Sequence, residues 1–271
     1  MRRARLGIAW AAMLALLLTG ATAWAQQGSP TEAKKSEEQA LAVVKRMAEF
    51  LARAQRFSVT VDIAFDVVQA QGQKIEFGET RKILLRRPDR LRIDETRRDG
   101  RTGGLVFDGK TLTAFSTKDN VYATDARADG RGSTLDELIV HLMNDLDVRL
   151  PLAEWLDSNL PKVLLENVRE AAYVEQSQIA GVPCDHVALR GNAVDLQVWV
   201  AKGDQPLPQR LVMTYTREDG RPQFEAQFRD WNLAPAAPDS LFIFTAPAGA
   251  QKIAFGVKTI QPGGIGGRGG Q

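Results

Sequence analysis

The apolar positions change period along the chain, and each change predicts an element. Leu41, Val43, Val44, Met47, Phe50, Leu51 and Ala54 recur every three or four residues, the spacing of one helix face. Ser36 and Gln39 have capping-box spacing, so the helix is expected to open at Ser36. From Phe57 the period falls to two: Phe57, Val59, Val61, Ile63, Phe65 and Val67 alternate with Ser58, Thr60, Asp62, Ala64 and Asp66, the pattern of a half-buried strand. At roughly 3.3 Å per residue this strand is about 40 Å long, and so long a strand with one apolar face suits a curved antiparallel sheet. More strands are predicted at 74–85, 90–96, 104–107, 110–115 and 121–124, with Asp108-Gly109 as a hairpin dipeptide.

After a polar stretch over 125–133 the helical period returns. Leu135, Leu138, Ile139, Leu142, Met143 and Leu146 form a stripe, and Thr134 and Glu137 stand in capping positions. Short helices are expected at 152–156, just after Pro151, and at 164–169. Strands resume at 173–179, 184–189, 195–201, 209–215, 223–231 and 241–244, with reversals at Gly203-Asp204 and Asp219-Gly220. The sum is an α+β chain: a single-domain curved antiparallel sheet, an incomplete β-barrel of about eleven strands, with an N-terminal helix and central helices covering its concave face. The expected boundaries are a leader over 1–25, a linker over 26–35, the domain over 36–250 and a glycine-rich flexible tail over 251–271.

Composition changes the picture at three points. The chain is 44% hydrophobic and 25% charged, which allows a sizeable core and excludes a disordered or collagen-like chain. The apolar run 6–18 lies behind Arg2, Arg3 and Arg5, is too short to span a bilayer, and precedes Ala23-Trp24-Ala25, a small-x-small cleavage pattern. The expectation is export, cleavage after Ala25 and a soluble periplasmic protein. Three of the 35 basic residues leave with the leader, so 32 remain against 33 acidic ones, a net charge of −1 that speaks against a nucleic-acid partner. The single cysteine, Cys184, excludes an intramolecular disulfide.

Candidate chemistry is sparse. Cys184 and His186 are two apart on a predicted strand and therefore share a face, as a nucleophile and its base would. The competing and stronger reading is a small buried thiol in an apolar strand, flanked by Val182 and Val187. With only His141, His186 and Cys184 as soft ligands, no metal site is expected. No phosphate loop, Gly-x-Ser-x-Gly elbow or His-Glu-x-x-His pair occurs, and no cofactor is expected. What stands out is apolar surface: long one-sided strands and too few helices to roof them. It reads either as a lipid-sized cleft or as an ordinary packed core, with equal weight.

A resemblance adds to this. Arg86-Arg87-Pro88-Asp89-Arg90-Leu91-Arg92, Phe107-Asp108-Gly109-Lys110-Thr111-Leu112, Gly181-Val182-Pro183-Cys184-Asp185-His186, Asp230-Trp231-Asn232-Leu233 and the ending from Pro238-Asp239-Ser240-Leu241-Phe242-Ile243-Phe244 to Gly249 resemble the bacterial outer-membrane lipoprotein carrier (LolA/LolB-like) superfamily, and in particular a predicted periplasmic family of that fold. The resemblance covers about 36–250. It implies a half-barrel whose concave face accepts acyl chains, with lipid or an acylated lipoprotein as partner. The residues expected to line that face are Val61, Ile63, Phe65, Phe77, Leu91, Ile93 and Phe107 from the sheet, with Leu138, Leu142 and Trp155 from the covering helices. The alternative is a non-enzymatic periplasmic sensor that docks an envelope membrane protein; a Cys-His hydrolase ranks third.

Overall fold

The computed structural model describes residues 29–126, 133–144 and 152–255. The leader, the cleavage site after Ala25, Leu146 of the mid-chain stripe and residues 256–271 lie outside that set.

The first helix, α1 (Pro30–Arg53), starts six residues earlier than its spacing predicted. Ser29 is the N-cap, its hydroxyl accepting from the Glu32 amide while the Glu32 carboxylate accepts from the Ser29 amide, and Pro30 fills the first turn. Residues 30–35 are therefore helix and not linker. Ser36 has another role: its hydroxyl accepts from the Tyr173 amide at 2.9 Å and donates to the Tyr173 carbonyl at 3.3 Å, tying the helix to a strand far away in sequence.

Among the described residues twelve strands make one sheet: β1 (Arg56–Val68), β2 (Lys74–Arg86), β3 (Arg90–Arg97), β4 (Thr102–Phe107), β5 (Thr111–Ser116), β6 (Val121–Ala126), β7 (Val168–Ile179), β8 (Val182–Gly191), β9 (Val194–Ala201), β10 (Pro208–Tyr215), β11 (Gln223–Asn232) and β12 (Gln251–Ile253). The order is β12-β6-β5-β4-β3-β2-β1-β11-β10-β9-β8-β7, so β1 joins two meanders and the outer strands β12 and β7 leave the sheet open. All neighbours run antiparallel except β12, which pairs parallel with β6. The fold is the expected α+β half-barrel.

Three elements differ from the sequence pattern. Residues 241–244 are not a strand. Asp239–Phe242 is a 3-10 turn, and the following chain straps the outer face of the sheet, with Phe242 buried and Phe244 stacked on Phe115 at 5.2 Å. Arg92 donates to the Leu241 carbonyl at 3.2 Å, a side-chain bond where a strand would need a ladder. Residues 251–253, read as the start of the tail, form β12. The helix expected at 164–169 is α3 (Leu160–Glu166), and β7 starts at Val168; as an edge strand with mostly exposed side chains, β7 has weak alternation in its first half.

The helices share the inner face. α1 buries Ala40, Val43, Val44, Met47, Ala48 and Leu51 in the main core, while Arg46 lies 3.6 Å from Asp185 of β8. The mid-chain helix α2 (Leu135–Asn144) buries Leu135, Leu138, Ile139 and Leu142 and opens with the predicted Thr134–Glu137 box. A 3-10 turn, Ala153–Leu156, adds Trp155 and Leu156.

Candidate binding face

Cross-strand pairing puts residues from neighbouring strands in rows on the inner face. Phe57, Leu85, Leu91, Phe107 and Leu112 form one row; Val59, Ile83, Ile93, Leu105 and Ala114 form the next. Both rows are apolar because each strand alternates and the registers match. The following row changes character: Val61, Arg81, Glu95, Gly103 and Ser116. The next reads Ile63, Glu79 and Arg97. One face is thus apolar along one side and charged along the other.

α2 lies over the apolar rows. Leu135, Leu138, Ile139 and Leu142 from the helix, with Leu152, Ala153 and Leu156, face Ile83, Leu91 and Ile93 across a seam. The seam encloses about 20 Å³, room for one water molecule. At this seam the apolar surface is filled: α2 and the 3-10 turn are short, but they sit where the apolar rows are.

Of the residues expected to line a cleft, Leu91, Ile93, Leu138 and Leu142 meet around this seam. Val61, Ile63, Phe107 and Trp155 lie in the same core, with Trp155 set 6.4 Å from the Phe228 ring. Phe65 and Phe77 stack on each other at 6.1 Å, half-buried, at the far end of the β1–β2 hairpin and away from the seam.

The pattern of apolar residues missed two polar groups. Glu79 and Arg81 are each 5% exposed and form an ion pair on the inner face. Burial, then the neighbouring Glu95 carboxylate, pushes the Glu79 carboxyl up, against the opposing pull of Arg81. Their signal was present in β2, where Glu79 and Arg81 interrupt the inward series Phe77, Ile83 and Leu85. The second group is Arg87, whose Nε donates to the Ala54 carbonyl at 3.2 Å and Nη2 to the Leu156 carbonyl at 2.8 Å. Its Nη1 lies 3.7 Å from Asp136, and burial lowers its pKa while Asp136 and Asp157 oppose that. Asp136 in turn accepts from the Ser158 amide at 2.9 Å, and the Leu135 amide donates to the Pro88 carbonyl at 2.8 Å. At the other end of α2, His141 bonds Asp125 of β6 at 2.8 Å.

Cys184 and His186 belong to the outer face. The Cys184 thiol is buried and donates to the Val182 carbonyl at 3.3 Å, and burial raises its pKa, which suppresses thiolate at neutral pH. His186 stacks on Trp199 with ring centroids 4.0 Å apart and shares a 3.2 Å bond between Nε2 and Gln197. Both bonds lead away from a nucleophile–base arrangement. Among the described residues no group of three or more His, Cys, Asp or Glu side chains is arranged to hold a metal ion.

A family model described as "Predicted periplasmic protein (DUF2092)" matches residues 40–256, on the kind of family that the motifs resemble. No curated protein matches the chain. Among solved structures, LprF from Mycobacterium bovis is similar at 12% identity and a TM-score of 0.47, over 79% of this chain and 98% of that one. The lipoprotein LppX of Mycobacterium tuberculosis is similar at 14% identity and a TM-score of 0.46, over 74% and 99%. A LolA superfamily protein from Nitrosomonas europaea follows at 12% identity and a TM-score of 0.35, over 76% and 97%.

Proposed function

The chain belongs to the DUF2092 family of predicted periplasmic proteins, and we propose that it binds lipid or the acyl chains of a lipoprotein in the periplasm, taking them between α2 and the apolar rows of the sheet. The observation that carries this reading is the seam itself. Its roof is a ten-residue helix added between two halves of the sheet, and its floor is apolar at Ile83, Leu91 and Ile93 and bordered by Arg81.

Magnitudes favour exchange of one apolar partner for another. Burying α2's four apolar side chains contributes about 6–12 kcal/mol, at roughly 1.5–3 kcal/mol each. A chain of about fourteen methylenes, at roughly 0.8 kcal/mol each, contributes about 11 kcal/mol on the same surface. The two figures are comparable, so a ligand of this kind competes with the helix for the face without needing a charged contact, and the helix closes the face when the ligand leaves.

The test is hydrogen exchange of the mature protein with and without oleate. Faster exchange of α2 amides, with slower exchange in the strands beneath, supports the reading. Unchanged exchange at saturating oleate rejects it, and pull-down of a membrane regulator by the lipid-free protein then favours the sensor.

A further inference from the structure

A second cavity of about 280 Å³ opens beside the seam, and Arg81 and Ile93 line both. We propose that this cavity holds a zwitterionic phosphoester head group, with its phosphate among Arg81, Arg97 and Arg101 and its ammonium toward Glu95 and Asp119, while the acyl chain of the same molecule lies in the seam. The inference rests on the lipid-binding reading and names the chemical class of its ligand.

β3 carries the argument. Its inward residues are Leu91, Ile93, Glu95 and Arg97, apolar for one half and charged for the other, over about 20 Å at roughly 3.3 Å per residue. That is the polarity profile of an amphiphile laid along the strand. The cavity has the size of a head group and falls below the range of pockets that enclose a drug-sized ligand.

Its charges are mixed. Arg97 pairs with Glu95 at 2.8 Å, Arg101 with Asp99 at 2.6 Å, and the Asp119 carboxylate accepts from the Ser116 hydroxyl at 2.7 Å. A guanidinium has five N–H donors in a fork that fits phosphate oxygens, so an arginine bound to one carboxylate still accommodates a phosphate. A purely anionic ligand would meet Glu95 and Asp119 as like charges, and a zwitterion turns both to use. Gly103, opposite Glu95, lines the cavity with backbone alone, and a Cβ there would stand 2.6 Å from the Phe115 carbonyl oxygen.

The mature chain is titrated calorimetrically with three ligands: oleoyl lysophosphatidylethanolamine, monooleoylglycerol, which has the same chain without the charges, and glycerophosphoethanolamine, the head without the chain. The charged amphiphile is expected to bind about tenfold tighter than monooleoylglycerol, the gain of one charge-assisted contact. Arg101→Gln and Asp119→Asn, both at exposed positions, are each expected to remove most of that preference and leave monooleoylglycerol binding unchanged. Equal affinity for the two amphiphiles, or a preference that survives in both variants, overturns the head-group site and leaves the carrier reading standing. Glycerophosphoethanolamine binding as tightly as the amphiphile makes the occupant a soluble phosphoester and overturns the proposal. Failure of both amphiphiles to bind rejects the carrier reading itself.

Discussion

The Nη2 of Arg87 donates to the Leu156 carbonyl at 2.8 Å, and through that bond a sheet-side arginine holds the roof of the inner face. The same guanidinium reaches the Ala54 carbonyl at the end of α1 and approaches Asp136 at the start of α2. Replacing it by leucine removes a buried donor from two carbonyls at once. Arg87→Leu is expected to lower stability by about 2–4 kcal/mol in urea titration, and Arg87→Lys to restore less than half, since an ammonium lacks the fork. It is also expected to speed exchange of the α2 amides.

Leu138 is fully buried on the seam side of α2. Leu138→Ala is expected to cost about 2–5 kcal/mol while enlarging the seam. If the seam takes acyl chains, the variant binds oleate more tightly than the wild type despite being less stable. A variant that loses stability and binds no better marks the seam as plain core.

Much of the fold was legible because β1 alternates through its whole length and the stripes of α1 and α2 keep helical spacing. What the sequence hid was of another kind. The true cap of α1 at Ser29 lay in a polar segment that reads as linker, and the capping spacing at Ser36 belonged to a hydroxyl bonded to Tyr173. The run at 241–244 has strand composition but pairs with no strand among the described residues, and it straps the outer face instead. In the candidate site the apolar residues were readable from alternation. Arg81 and Glu79 stand in the same alternating series as Phe77, Ile83 and Leu85, so their inward position was readable too; what only the pairing register shows is the rows they share with Glu95 and Arg97. The filling of the seam was illegible, since it depends on where α2 lands on the sheet.

Glu79 predicts a pH dependence. Its carboxyl is held above the ordinary value of 4.5, so between 4.5 and the raised value the folded state binds more protons than the unfolded one. Its contribution to stability is therefore fully favourable below that window and falls as pH rises through it. The difference in urea midpoint, wild type minus Glu79→Gln, is expected to decline with rising pH above 4.5; a rising difference contradicts the raised pKa.

Cys184 is expected to behave as a buried thiol. The native protein reacts with a thiol reagent only at the rate of unfolding, while urea-unfolded protein reacts at once. Cys184→Ala lowers stability modestly and leaves lipid binding unchanged. Rapid native labelling would return attention to Cys184 and His186 as a reactive pair.

Whether the inner face receives acyl chains is read most directly by native mass spectrometry of the protein purified from periplasm, followed by extraction and identification of whatever it carries. A stoichiometric adduct of acyl-chain mass is expected, lost on delipidation and regained with oleate. Protein that emerges empty and stays empty when offered fatty acids and phospholipids would contradict it.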